Sequence, residues 1–175
     1  MKKLSRSFSL SLVAAGLLAS GAVSAQSLAI INATLHTSSD QGVLESASIV
    51  MNDGKITAIN PSDVKADKII DAKGQIVTPG FIATVNQLGL VEVGAVAGSR
   101  DAGEEKAGID FDASLAFNPR SSLIPYARKG GVTRDLITPY GGDSIFAGLA
   151  SVVDLSGSFE SVNKKQAALV VHLGE

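Results

Sequence analysis

The chain has no cysteine and no tryptophan, only two histidines, and just 5% aromatic residues. Without cysteine there is no disulfide, no thiolate nucleophile and no cysteine-held zinc, so the fold rests on its core alone. With histidine only at His36 and His172, the chain cannot by itself supply a cluster of imidazole ligands. Positive charge is also scarce once the start is set aside. "MKKLSRSFSLSLVAAGLLASGAVSA" has a basic n-region (Lys2, Lys3, Arg6), an apolar run and small residues at Val23-Ser24-Ala25. That is the layout of a secretory signal cut after Ala25. The apolar run falls short of the roughly 20 residues needed to cross a bilayer, and the well-formed small-residue site argues against an uncleaved anchor. Removing residues 1–25 leaves 12 basic against 17 acidic residues, a net charge of −5. Such a chain has no electrostatic footprint for nucleic acid and no basic run for an anionic membrane surface. A periplasmic or secreted protein is expected, with no membrane association after cleavage. Nothing in the sequence sets an oligomeric state.

What is present is 45% hydrophobic residues without a low-complexity tract, which indicates a globular chain. Residues 26–79 carry β signals. "LAIINATL" is a buried-strand run, and "ASIVM" and "KITAIN" flank Asn52-Asp53-Gly54, a strong hairpin signal. "DKIIDA" and "GQIVT" are two further short strands split by Lys73-Gly74. Five closely spaced strands predict a small sheet or half-sandwich.

After Pro79-Gly80 the pattern changes. "FIATV" is an apolar strand, and "GAVAGSRDAGEEKAGIDFDAS" is a long Gly-rich loop without a period, of the kind that is often functional or mobile. "SSLIPYARKGG" predicts a short helix with serine available as N-cap and Gly130 to end it. "VTRDLITP", "LASVVDL" and "QAALVVHL" are strand candidates. Strand, loop, helix and strand in that order fit the start of an α/β barrel. Residues 80–175 number only 96, against about 250 for a complete barrel.

The segment "IVMNDGKITAINPSDV…KIIDAKGQIVTPGFI" resembles the N-terminal region of the amidohydrolase superfamily, near its imidazolonepropionase-like and dihydroorotase-like members. The matches are "DGKI" at Asp53–Ile56, "DAKG" at Asp71–Gly74 and "VTPGFI" at Val77–Ile82. "AFNPRSSLIPYARKGGVTRDLITPYGGDSIFAG" extends the likeness towards an exported subgroup, in which a Gly-rich segment follows a "GVT" strand. The resemblance implies a β plus α/β fold: part of a composite N-terminal β-sandwich (residues 26–79), then the first strands and helix of an incomplete, truncated TIM-type (β/α) barrel (residues 80–175). It also implies metal-assisted hydrolysis of C–N bonds other than peptide bonds, in cyclic amides and the like. In that chemistry two histidines one residue apart on a strand hold a zinc-like ion, which lowers the pKa of bound water to about 7.

The sequence departs from that pattern at the decisive place. Alignment on Pro79-Gly80-Phe81-Ile82 puts Ala83 where the family has Asp, and Val85 and Gln87 on the histidine positions. Valine cannot ligate a metal, and glutamine offers only a neutral amide oxygen. No cofactor is evident in this chain; zinc or another divalent metal would belong to a longer protein with ligands on later strands. Three roles are open: a hydrolase of which this 175-residue chain alone is inactive; a non-catalytic relative that binds a small molecule or partner in the periplasm; or, with 150 residues as the whole mature chain, a periplasmic binding module.

Each remaining candidate has two readings. Gln87 is a substitute ligand or substrate hydrogen-bonder, or a plain polar residue at a strand end. His172, at the end of an apolar run, is the candidate for chemistry, or a structural histidine. His36 is a ligand, or a solvated or capping residue beside Ser38, Ser39 and Asp40. Gly141–Gly148, "GGDSIFAG", is an anion-cradling loop or a tight turn. Arg120, Arg128 and Arg134 are a carboxylate clamp or separate surface charges. Glu104, Glu105 and Lys106 form a solvated loop rather than an acid–base pair.

Overall fold

The structure is a computed structural model that describes residues 26–173. The export signal read in residues 1–25 lies outside the described residues. The chain divides into two compact units, Met1–Pro79 and Gly80–Glu175. Among the described residues, two β-sheets with few and short helices account for the regular structure.

The described residues of the first unit form one five-stranded sheet. Its strands are β1 (Leu28–His36), β2 (Val43–Asn52), β3 (Lys55–Ile59), β4 (Lys68–Asp71) and β5 (Ile76–Val77). The order is β3-β2-β1-β4, with β5 also pairing with β1. The two hairpin steps are antiparallel, and β4 and β5 return parallel to β1. Asp53 and Gly54 join β2 to β3 with φ of 51° and 70°. Positive φ at both central residues matches a two-residue hairpin turn whose twist suits the flanking strands. Between β4 and β5, Asp71 accepts from the Lys73 N–H at 2.9 Å and from Asn32 Nδ2 at 3.1 Å, which fixes the Lys73-Gly74 turn to β1. Leu35, Ala47 and Ile49 form the buried core, with Ile30, Leu44, Met51, Ile59 and Val77 packed against it.

The second unit is a four-stranded sheet of order β6-β7-β8-β9. Its strands are β6 (Phe81–Asn86), β7 (Val132–Ile137), β8 (Phe146–Asp154) and β9 (Val162–Val171). β6 and β7 are parallel, and the connection between them contains helix α1 (Ile124–Lys129), as parallel pairing requires a crossover. β8 and β9 then run antiparallel. The strand–helix alternation implied by the resemblance therefore holds for β6–α1–β7 and gives way to a hairpin. Leu90, Ala102, Ala113, Ile124, Ile137, Val153 and Leu155 make the core of this unit.

Helix α1 differs from expectation at its start. The N-cap is Leu123, which makes no side-chain cap; Pro125 lies in the first turn. The serine contribution comes earlier, where Ser121 Oγ accepts from the Leu123 N–H at 3.2 Å. Gly130 ends the helix, its N–H donating to the Tyr126 and Ala127 carbonyls. A six-residue helix has little stability of its own, so its position depends on Ile124, which is 2% exposed in the core.

Candidate functional site

Parallel β6 and β7 end on the same side, and ligand sites of parallel sheets form beyond the carboxyl ends of the strands. Asn86, Gln87, Thr138 and Tyr140 occupy that end. Two bonds tie the strands there: Thr138 donates to the Asn86 carbonyl through its N–H at 2.9 Å and through Oγ1 at 3.3 Å. Gln87 follows the last residue of β6 and is half-buried. Its carbonyl accepts from the Leu90 and Val91 N–H groups, so it opens the turn that leaves the strand.

Val85 is the irregular residue of β6. The pairing steps from Thr84↔Leu136 to Asn86↔Ile137, so Val85 has no partner on β7 and forms a bulge. Its φ is 57° and it is 73% exposed. A β-branched residue rarely adopts that conformation. The bulge breaks strict alternation between positions 85 and 87. The family's same-face geometry for its two ligands depends on that alternation.

Two residues not singled out in the sequence meet here. Asn86 Nδ2 donates to Asp135 Oδ1 at 2.8 Å, and Asn86 Oδ1 accepts from the Leu88 N–H at 2.8 Å. Asp135 lies mid-strand on β7, is 0% exposed, and sits between Ala83 on β6 and Val153 on β8. Its Oδ2 meets no hydrogen-bond partner among the described residues. Burial pushes its carboxyl above the usual carboxylate range, against the bonds from Asn86 and the Leu136 N–H. The signal available in the sequence was an acid inside the apolar strand "VTRDLI".

The long loop is stitched to the same end. The Tyr140 N–H donates to the Ala102 carbonyl and the Asp143 N–H to the Glu105 carbonyl. A Cβ on Gly142 would lie 2.0 Å from the Glu104 carbonyl oxygen, so glycine permits the two backbones to approach. This gives "GGDSIFAG" a packing role, and its last three residues, Phe146 to Gly148, begin β8. Glu104 and Lys106 line an open cavity of about 690 Å³ with Arg100, Asp101, Asp110 and Asp112. Burial raises Asp112, but the bonds from Ser114 and Gln166 and the Lys165 charge outweigh it and hold the carboxyl below its usual range.

The other candidates are dispersed. His172 is exposed just past β9, its N–H donating to the Ile145 carbonyl. His36 ends β1 in the other unit and borders a small apolar cavity of about 110 Å³. Arg128 and Arg134 line one cavity of about 450 Å³ together with Asp154, while Arg120 lies over the Phe159 ring, 5.1 Å from its centroid. No group of three or more His, Cys, Asp or Glu converges as metal ligands would among the described residues.

No protein-family model matches the chain, and no curated protein does. Solved structures do. The chain's resemblance to the amidohydrolase superfamily is one of structure as well as motif, with partial coverage that fits an N-terminal portion. It is similar to an amidohydrolase from Thermotoga maritima at 28% identity and a TM-score of 0.71, over 85% of this chain and 39% of that one. It thus spans well under half the length of that protein. Smaller overlaps occur with an L-hydantoinase from Arthrobacter aurescens (24% identity, TM-score 0.41, 66% of this chain and 21% of that one). A triazine hydrolase from Arthobacter aurescens overlaps at 23% identity and a TM-score of 0.42, over 62% of this chain and 27% of that one.

Proposed function

We propose that this chain is the N-terminal part of an exported amidohydrolase-like protein. Residues 26–79 contribute to a composite β-sandwich, and residues 80–175 supply the first strands and helix of a TIM-type barrel. One observation carries the reading: the likeness to the Thermotoga amidohydrolase over 85% of the chain. The parallel β6–α1–β7 unit is how a barrel of that type begins. At family level the reaction is metal-assisted hydrolysis of a non-peptide C–N bond, with cyclic amides as the substrate class.

The residues of this chain do not fit a zinc ion at the family's first ligand pair. Val85 has no donor atom, Gln87 has only a neutral amide oxygen, and the bulge at Val85 interrupts the alternation between them. No step is assigned to a metal here, and the 175-residue chain by itself is inactive. On the hydrolase reading, zinc or another divalent ion would be held by later strands of a longer protein. The strained, exposed Val85 favours a second reading, in which the protein is a non-catalytic relative that binds a small molecule at the strand ends beside Gln87.

Hydrolysis of a cyclic amide panel, with and without added Zn²⁺, tests both readings on the 175-residue chain and on the protein recovered from its periplasm. No turnover by the short chain and metal-dependent turnover by the native protein support the hydrolase. Ligand binding without turnover by the native protein supports the second reading. Turnover by the short chain that is lost in Gln87→Ala would contradict the assignment of an empty ligand pair.

A further inference from the structure

Residues 114–119, ahead of helix α1, and residues 159–165, from the β8–β9 turn into β9, line one open cavity of about 500 Å³. That volume is in the range of small-molecule sites, about 300–1,000 Å³. The walls are mainly apolar: Leu115, Phe117 and Pro119 come from the first stretch, Phe159 and Val162 from the second. Leu115 is 81% exposed and Phe159 is 79% exposed. Two such side chains in one concavity leave apolar surface that an occupant would remove from water.

The charges around the cavity decide the chemistry of that occupant. Lys165 and Glu160 are in the lining, and Arg120 lies over the Phe159 ring, 5.1 Å from its centroid. Neither Lys165 nor Arg120 has a carboxylate in ion-pair range among the described residues. The Lys165 charge also acts on Asp112, but both oxygens of that carboxylate are already engaged. One accepts from the Ser114 N–H at 2.9 Å and the other from Gln166 Nε2 at 3.3 Å. Two unpaired cations therefore stand against one unpaired acid, Glu160, and the balance favours a negative head group.

Ser114 adds a hydrogen-bonding group to the same wall. It is 8% exposed, and its Oγ meets no partner among the described residues. A buried hydroxyl without a partner is unfavourable. Ser114 lines the cavity, so an oxygen atom seated against it supplies the partner that the protein does not.

We propose that this cavity binds a small apolar carboxylate, its hydrocarbon or aromatic body against Leu115, Phe117 and Phe159 and its carboxylate towards Lys165. Arg120 holds the Phe159 ring from one side, which keeps it in place as a platform for the body of the ligand. The site shares no lining residue with the strand end at Val85 and Gln87. It therefore stands whether or not the longer protein hydrolyses anything.

The test is saturation-transfer NMR on the native protein recovered from cells, with phenylacetate as the probe and benzylamine and toluene as controls. Phenylacetate should bind with a Kd of about 1 mM or tighter, and benzylamine more weakly. Lys165→Gln should weaken phenylacetate about fivefold, and Phe159→Ala by a similar factor. Both side chains are exposed, so neither change removes core packing. Ser114→Ala should weaken binding while leaving Tm unchanged or higher, because the hydroxyl has no partner to lose. No phenylacetate signal would overturn the proposal and show that the longer chain or a second copy covers the cavity. Benzylamine or toluene binding as well as phenylacetate, or affinity unchanged in Lys165→Gln and Phe159→Ala, would overturn it too.

Discussion

Val85 concentrates the conflict between what the β6 strand is and what its resemblance leads one to expect. It occupies the place of a metal-binding histidine, yet it is a β-branched residue at positive φ. That conformation costs an L-residue about 1–2 kcal/mol, and a side chain 73% exposed recovers little of it by packing. Val85→Gly should therefore raise unfolding stability by about 1 kcal/mol, read from a urea melt; a loss of stability would mean that the side chain packs. Acid stability is likewise set by single residues. Burial raises Asp154, but its bonds from Ser156, Asn163 and Ser161 win and hold its carboxyl below the usual range. A lowered folded pKa gives stability above the unfolded value and loses it as pH falls through the folded one. Asp154→Asn should flatten the drop in Tm below pH 4, and an unchanged acid limb would contradict this. The sequence exposed the missing histidines plainly, because Val85 and Gln87 are read by position. It did not expose Asp135, because one acid in "VTRDLI" looks the same whether it points to water or to a core.

Among the elements, the β2–β3 hairpin was the most legible, since Asp53-Gly54 states the turn through local chemistry. The five strands of the first unit follow from apolar runs split by turn residues, although β1 and β2 run longer than those runs suggested. Less legible was the direction of β8. Its apolar residues fit a parallel or an antiparallel neighbour equally well, and only the register against β7 decides. The start of β8 was hidden too, because Phe146 to Gly148 read as part of a glycine loop. The glycines there serve close approach, as at Gly142, which is a long-range property invisible to local pattern. Helix α1 was legible in place but not in capping. With six residues and no side-chain cap, it depends on Ile124 in the core. Ile124→Ala should cost about 2–5 kcal/mol and release α1 first, seen as fast amide exchange at Tyr126 to Gly130. A cost below about 1 kcal/mol would show that α1 stands without that anchor.

At the scale of the whole molecule, the sheet of the second unit leaves much apolar surface uncovered. On β6, Phe81, Ile82 and Val85 are 60%, 65% and 73% exposed, and among the described residues β6 pairs only with β7. Unpaired edges and exposed apolar patches promote association. Purified residues 26–175 should therefore self-associate; a monomer in sedimentation would contradict this. The same surface is what a barrel start would present to further strands. Coverage of 39% of the Thermotoga amidohydrolase leaves room for them. The measurement that tests this account most directly is the intact mass of the native protein recovered from cells. The account predicts a mass well above that of residues 26–175, with the chain beginning after Ala25. A mass equal to residues 26–175 would contradict it and leave a binding module in place of a hydrolase.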